Sequence, residues 1–196
     1  MRTSSDAPFE ARGYVDTGPV QERVYAQRAG LGWIGKNTCV INPAAGSWIF
    51  LSEIICSLPL EVDAPALDLC GECTLCLEAC PTRALVAPGV LDSTRCISYL
   101  TIEKRGPIPG ELAAGIGSHV YGCDVCQEVC PWNQIAPRSI DPAWQPRPAW
   151  ANADVPTLAA MSDGELGEAM RGSAMKRTKV AGLRRNLVAA LANAQK

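Results

Sequence analysis

Histidine is almost missing from this sequence. The one copy, His119, stands alone in 196 residues, and a solitary histidine is read as an ordinary side chain rather than a metal ligand. Long apolar runs are missing too. Nothing approaches the ~18 uninterrupted apolar residues needed to cross a bilayer, so no membrane partner is expected. The first fourteen residues are polar and carry no apolar stretch of the secretory type, which makes a cytoplasmic location the expectation. Acidic residues are missing from one end. From residue 169 onward there are seven Lys and Arg and no Asp or Glu, so the net charge of −2 conceals −9 over residues 1–168. Such asymmetry points either to a polyanion-binding end or to a solvated helix face.

What is present sets the class. Apolar residues make up 47% of the chain, enough for a real core and too many for wholesale disorder. The length suits one or two domains. Ten cysteines mean disulfides or metal, and a reducing cytoplasm favours metal.

Along the chain, Thr17-Gly18-Pro19 predicts a first helix with Pro19 at its first position and Gly30 at its end. Gly30-Leu31-Gly32-Trp33-Ile34-Gly35 matches G-x-G-x-x-G, but a helix precedes it and the extended-looking Thr38-Cys39-Val40-Ile41 follows. A dinucleotide site needs the opposite order, so these glycines are read as a sharp turn or close backbone approach. Ser47 to Ile55 predicts a buried strand, and Pro59, Asp63 and Pro65 mark a linker. Asp92 is placed to cap a short helix bearing Cys96 and Leu100. Gly106 to Gly110 reads as a loop. Residues 137–156 hold five prolines, which disfavours helix or central strand and predicts a draped connector. Two helices then close the chain, one opened by the capping-box spacing of Ser162 and Glu165, the other with Val180, Leu183, Leu187 and Leu191 on one face.

The cysteines carry the strongest signal. Cys70-x-x-Cys73-x-x-Cys76-x-x-x-Cys80-Pro81 has the spacing of a bacterial two-cluster ferredoxin. Three closely spaced thiolates wrap three corners of one cubane, and the fourth, before a chain-turning proline, reaches the other. Cys123-x-x-Cys126-x-x-x-Cys130-Pro131 repeats the pattern with one local cysteine missing, and Cys96 is the natural substitute. The reciprocal assignment gives Cys70, Cys73, Cys76 and Cys130 to one 4Fe–4S cluster, and Cys80, Cys96, Cys123 and Cys126 to a second. Two zinc sites are the rival reading, but zinc needs neither a three-cysteine run nor a cysteine–proline tail. Cys39 and Cys56 are left over and read as core thiols. A bare electron carrier would need little more than residues 66–135, so the remainder is expected to bind something else.

Further segments resemble one family. Asp16-Thr17-Gly18-Pro19-Val20, Ala29 to Thr38, Asn42-Pro43 with Gly46-Ser47-Trp48, Arg95 to Glu103, Tyr121 to Gln127 and Leu183 to Val188 are together similar to epoxyqueuosine reductases over nearly the whole chain. Arg83 and His119 depart from that pattern. The resemblance implies a cobalamin-dependent enzyme that reduces the epoxide of epoxyqueuosine, at the wobble position of tRNA, to the alkene of queuosine. It implies an α+β fold in three regions: a partial, nitroreductase-like cobalamin domain at 1–65, a two-cluster ferredoxin-like domain at 66–135, and a connector with a helical, HEAT-like end at 136–196.

The same resemblance implies roles. Asp16 matches the family's proton donor, although on its own it reads more readily as a helix cap. Thr38, Val40, Ser98, Asp124 and Val125 would face cobalamin. His119 is not expected to ligate cobalt. Lys104, Arg105, Arg171, Lys176, Arg177, Arg184 and Arg185 would grip tRNA phosphates, and the wobble base would have to leave its stack to reach cobalt. An electron donor of unidentified nature is required. Family members place a sizeable segment before the Asp16 motif, where fifteen residues stand here, so cluster binding is expected to survive better than cobalamin affinity. A plain ferredoxin-type carrier and a dehalogenase-like cobalamin reductase for small molecules are the alternatives, and the basic end favours RNA.

Overall fold

The computed structural model describes residues 8–151 and 153–195. It opens with β1 (Ala11–Tyr14), α1 (Glu22–Arg28), the short hairpin strands β2 (Trp33–Ile34) and β3 (Val40–Ile41), and β4 (Glu53–Cys56), which pairs antiparallel with β1. The first helix starts later than Pro19. Helical bonding begins where the Gln21 carbonyl accepts from Val24 and Tyr25, while the stretch before it bends through Asp16 at φ 57°. The glycine motif is a close approach: a Cβ on Gly32 would collide with the Ile41 carbonyl across the hairpin, and Gly30 sits at φ 67°. These positions tolerate no larger residue without a backbone shift.

Ser47 to Ile55 is not a buried strand. Only Glu53–Cys56 is extended, and Ile54 and Ile55 are 64% and 54% exposed. The reason is topological: β1 is its only strand partner among the described residues, and a two-stranded ribbon has no second layer to bury its face. Phe50 instead stacks on Trp144 of the connector at 5.2 Å.

The middle of the chain is mostly irregular. It contains α2 (Leu75–Ala79), the hairpin β5 (Leu85–Ala87) and β6 (Val90–Leu91), α3 (Gly110–Ile116) and α4 (Val125–Glu128). Asp92 caps a single 3-10 turn, Ser93–Arg95, by accepting from the Thr94 amide. Tyr99–Glu103 then forms a π-helical turn. Helices of one turn are not stable alone, so these are held by packing: α2 lies on α4, and Ile97, Leu100, Leu112 and Ile116 form a small core.

The C-terminal part follows the connector. It comprises α5 (Pro148–Ala151), α6 (Val155–Ala160), α7 (Asp163–Ala169) and α8 (Lys179–Ala194). Within 137–156 the expected helix-free connector holds a 3-10 turn, Pro142–Trp144, but also α5 and the start of α6, because Pro148 and Pro156 fall in first turns, where no amide donor is needed. Ser162 and Glu165 form the expected capping box of α7. On α8, Leu183 and Leu187 are fully buried against Leu158, Leu166 and Met170, with Val180 packed at the edge and Leu191 half-buried.

Helix α8 is bolted to the middle of the chain by polar side chains. Buried Asn186 donates to the carbonyls of Thr101 and Val120, each at 2.8 Å. Arg185 donates to the carbonyls of Leu100, Lys104 and Gly106 at 2.6, 2.8 and 2.7 Å. Removing the guanidinium leaves those acceptors without a partner. Arg185→Met is therefore expected to lower the unfolding free energy by about 2 kcal/mol, measured by urea denaturation. A change near zero would mean that water replaces the arginine at no loss.

Candidate iron–sulfur centres and active-site face

Two cavities gather the cysteines. The first is lined by Cys70, Cys73, Cys76 and Cys130, with Lys36, Asn37, Leu75 and Trp132 in its wall. The second is lined by Cys80, Cys96, Cys123 and Cys126, with Cys39, Thr38, Ser98, Asp124 and Val125. The two quartets coincide with the reciprocal assignment made from spacing. Among the described residues no three ligand-type side chains converge on one point as a single ion requires. The thiols instead ring their cavities, as they do when each binds a different corner of a cubane.

Local structure explains how each thiol gets there. Cys80 and Cys130 are extended residues directly before Pro81 and Pro131. The fixed proline turns the chain away and leaves the preceding side chain reaching into a cavity that its neighbours do not line. Helices α2 and α4 carry Cys76 and Cys126. Cys96 ends the Asp92-capped turn. Ser98 then ties the Cys96 segment to Cys123 twice, its hydroxyl donating to the Cys123 carbonyl at 3.2 Å and accepting from its amide at 3.1 Å. Asn37 reaches from the glycine hairpin to the Cys126 carbonyl at 3.2 Å.

The electrostatics of these thiols call for a cationic group. Burial, joined by the charges of Cys39, Cys123, Cys96 and Cys76, pushes the Cys126 thiol up to about 12. Burial likewise raises Cys39 to about 11, against the opposing pull of Arg23, and lifts Cys76, Cys123 and Cys130. Cys80 moves the other way. Burial is opposed there by hydrogen bonds from the backbone of Leu85, Ala84 and Thr82, and the thiol ends lowered. Protein alone would keep most of these groups protonated. Iron ions in the cavities would ionise them outright, because a bound cation inverts the local preference. The donor sets thus fit 4Fe–4S clusters.

The remaining site residues divide. Thr38, Ser98, Asp124 and Val125 share the wall of the second cavity, whereas Val40 is buried in the β2–β3 hairpin. The Thr38 carbonyl is occupied by Arg23 at 2.7 Å. An adjoining open depression of about 610 Å³ runs past Thr38 between α1 and the β5–β6 hairpin. This is room for part of a corrin, not an enclosing pocket, so the described residues fit cobalamin as one wall. Asp16 lies on the surface, paired with Arg177 at 3.5 Å, and Arg177 in turn pairs with Glu103.

The cations are likewise split between outward and inward use. Lys104, Arg105, Arg185 and Lys179 line one depression at the start of α8. Arg171 pairs with Glu168 at 2.7 Å. Arg184 is spent on Asp163 and on the carbonyls of Ala159 and Met161, and Arg185 on the three carbonyls described above. Lys176 is exposed in the turn before α8. Spacing gave no hint of Lys36, Asn37, Cys39 or Lys179 as site residues. Their partners lie 35 or more residues away or across a fold boundary, and only the reversal of the chain at the glycine hairpin brings the first three to the cysteines.

Comparison with known proteins places the chain. Residues 69–133 match the 4Fe-4S double cluster binding domain family. The epoxyqueuosine reductase of Xanthomonas campestris pv. campestris is 46% identical over 187 residues, covering 95% of this chain and 53% of that protein. A crystal structure of an epoxyqueuosine reductase with a tRNA-Tyr epoxyqueuosine-modified stem loop superposes with a TM-score of 0.88 at 40% identity, over 94% of this chain and 49% of that one. The Bacillus subtilis enzyme, with its catalytic aspartate loop swung out of the active site, gives 0.86 at 38% identity over the same shares. This chain spans about half the length of the relatives it matches, and over that half it is similar, in sequence and in fold, to epoxyqueuosine reductases.

Proposed function

We propose that the chain forms the cluster-bearing, tRNA-facing part of an enzyme that deoxygenates epoxyqueuosine at the wobble position of tRNA. Converting an epoxide to an alkene and water consumes two electrons and two protons, so a site for this reaction needs an electron path, a proton donor and a grip on RNA. The observation that carries the reading is the sorting of eight cysteines into two reciprocal cavities, one of which shares its wall with the face where Thr38, Ser98, Asp124 and Val125 lie.

In this reading Cys70, Cys73, Cys76 and Cys130 hold one 4Fe–4S cluster, and Cys80, Cys96, Cys123 and Cys126 the other. When bound, the clusters supply single electrons and cobalamin a reducible cobalt centre. Ser98, Asp124 and Val125 would hold one face of the corrin, with Thr38 and the backbone at Val40 opposite. The protein's own work is at the proton. Opening the epoxide leaves charge on the oxygen, and Asp16 would deliver a proton to that atom. Arg177 and Glu103 hold the aspartate near the basic end, where RNA would arrive. The three regions, 1–65, 66–135 and 136–196, are proposed to serve as a partial cobalamin domain of nitroreductase type, the cluster domain and the connector with its HEAT-like helices.

For RNA, Lys104, Arg105 and Lys179 at the head of α8 are proposed as direct phosphate contacts, aided by the positive end of the helix. Lys176, Arg171 and Arg177 extend this surface. Arg184 and Arg185, whose guanidinium groups are spent on internal acceptors, contribute positive potential and keep α8 in place. The cytoplasm, which holds tRNA and keeps thiols reduced, is the proposed location. No helix among the described residues is long and apolar enough to cross a membrane.

Three outcomes test the reading. Anaerobic reconstitution is expected to load about eight irons, and Cys96→Ala about four, with one cluster's spectrum retained. Unchanged iron in the variant would remove Cys96 from the ligand set. Lys104→Ala and Lys179→Ala are each expected to weaken binding of a tRNA stem loop and to flatten its salt dependence by about one unit of slope. An unaltered slope would return both to the solvated surface. In a chain carrying the further segments of its longer relatives, Asp16→Asn is expected to bind tRNA normally yet lose about 10²–10⁴-fold in single-turnover rate. Turnover at the parent rate would leave Asp16 a turn residue and assign the proton to another donor.

A further inference from the structure

The glycine hairpin, rejected above as a dinucleotide site, sends two polar side chains to the first cysteine cavity. Lys36 Nζ donates to the carbonyls of Gly71 at 2.6 Å and Cys73 at 3.0 Å, and the lysine lines the cavity wall. Trp33, 1% exposed, donates its indole N–H to the Cys70 sulfur at 3.3 Å and is braced edge-on by Trp132 at 5.0 Å. Among the described residues no side-chain cation lines the second cavity; Arg23 stands behind its wall, on the Thr38 carbonyl. The hairpin contacts that cavity through Thr38, Cys39 and Asn37, the last a neutral amide bonded to a backbone carbonyl.

We infer that Lys36 and Trp33 raise the reduction potential of the cluster held by Cys70, Cys73, Cys76 and Cys130, making it the more readily reduced of the two; this rests on the two-cluster reading above. The cause is electrostatic. A 4Fe–4S cluster with four thiolates is already anionic, and reduction adds one electron, hence one more negative charge. An ammonium at the cavity wall and an N–H directed at a ligand sulfur both stabilise that added charge more than they stabilise the oxidised form. A hydrogen bond to sulfur also withdraws electron density from the iron it serves. Cys73 is exposed while Cys130 is buried, so this cavity opens outward. A cluster here that accepts electrons readily is suited to receive them from the donor, with the second cavity leading on to the active-site face. The glycine motif then has a reason beyond the turn: without Gly32 the hairpin could not close, and Trp33 and Lys36 would not reach the cluster loop.

The test is a dithionite redox titration of the reconstituted full chain, with each cluster followed by its own electron paramagnetic resonance signal. Lys36→Met and Trp33→Phe, which keep bulk and lose the donor, are each expected to move the midpoint of one cluster to a more negative value and leave the other in place. Lys36→Arg is expected to stay near the parent. The Cys96→Ala background, in which the first cluster alone should remain, identifies which midpoint moved. Unchanged midpoints in protein with about eight irons would overturn the inference and leave the two-cluster reading standing. An equal shift of both clusters, or an Arg variant that behaves like Met, would also overturn it, because the effect would then be one of loop shape. Parent protein that cannot hold two 4Fe–4S clusters would sink both.

Discussion

Thiols resist ionising together in a buried space, and here eight of them are assembled in two small cavities. That constraint organises the middle of the chain. Little regular structure exists there to hold the cysteines: the helices carrying Cys76 and Cys126 are five and four residues long. What holds the loops is a set of specific bonds between segments distant in sequence. Ser98 clasps Cys123, Asn37 holds the Cys126 carbonyl, Lys36 holds those of Gly71 and Cys73, and Trp33 meets the Cys70 sulfur. Two prolines turn the chain away so that Cys80 and Cys130 cross to opposite cavities. Burial raises the thiols of Cys76, Cys123, Cys126 and Cys130 in this framework, and a bound cation would reverse that preference.

The π-helical turn at Tyr99–Glu103 links the clusters to the C-terminal helices. A widened turn leaves carbonyls free to accept from outside the helix. The Leu100 carbonyl takes Arg185, and the Thr101 carbonyl takes both Asn186 and Thr178. Helix α8 thus registers on the Cys96 segment through buried polar contacts, which fix geometry more narrowly than apolar packing does. The positive end of the chain consequently has two jobs. Arg184 and Arg185 fasten it from inside, Arg105 donates to the carbonyls of Ile102 and Arg177, and Lys104 and Lys179 line the depression at the head of α8.

Asp16 occupies the margin where these parts meet. It stands in the left-handed region of backbone space at φ 57°, on a bend between β1 and α1, with Arg177 beside it. A residue held that way outside glycine is strained. The bend puts its carboxylate beside Arg177, in the turn that leads into α8.

Some of this was legible in residue order. The cysteine ligand sets depend on spacing and on proline, both local, and the two quartets found around the cavities are those that spacing assigned. Caps are equally local: Ser162 and Glu165 act as read, and Asp92 caps, though over a 3-10 turn that Cys96 ends and not a helix carrying Leu100. The helix start at Pro19 and the buried strand from Ser47 failed for one reason: proline tolerance and apolar content state what a segment permits, whereas its partners decide what forms. Among the described residues the strand found only β1, so Ile54 and Ile55 remain exposed. The basic end was visible as charge, but charge does not say which guanidinium finds a carbonyl. Cys39 looked like a core thiol until the hairpin brought it to the wall of the second cavity. The sequence by itself determined how the cysteines group, because spacing along the chain and the prolines after Cys80 and Cys130 set which cavity each thiol can reach. Only the tertiary structure decided which cations serve the fold and which stand at a cysteine cavity, because Lys36, Arg184 and Arg185 reach their distant acceptors across 21 to 85 residues, and only when the chain has closed on itself.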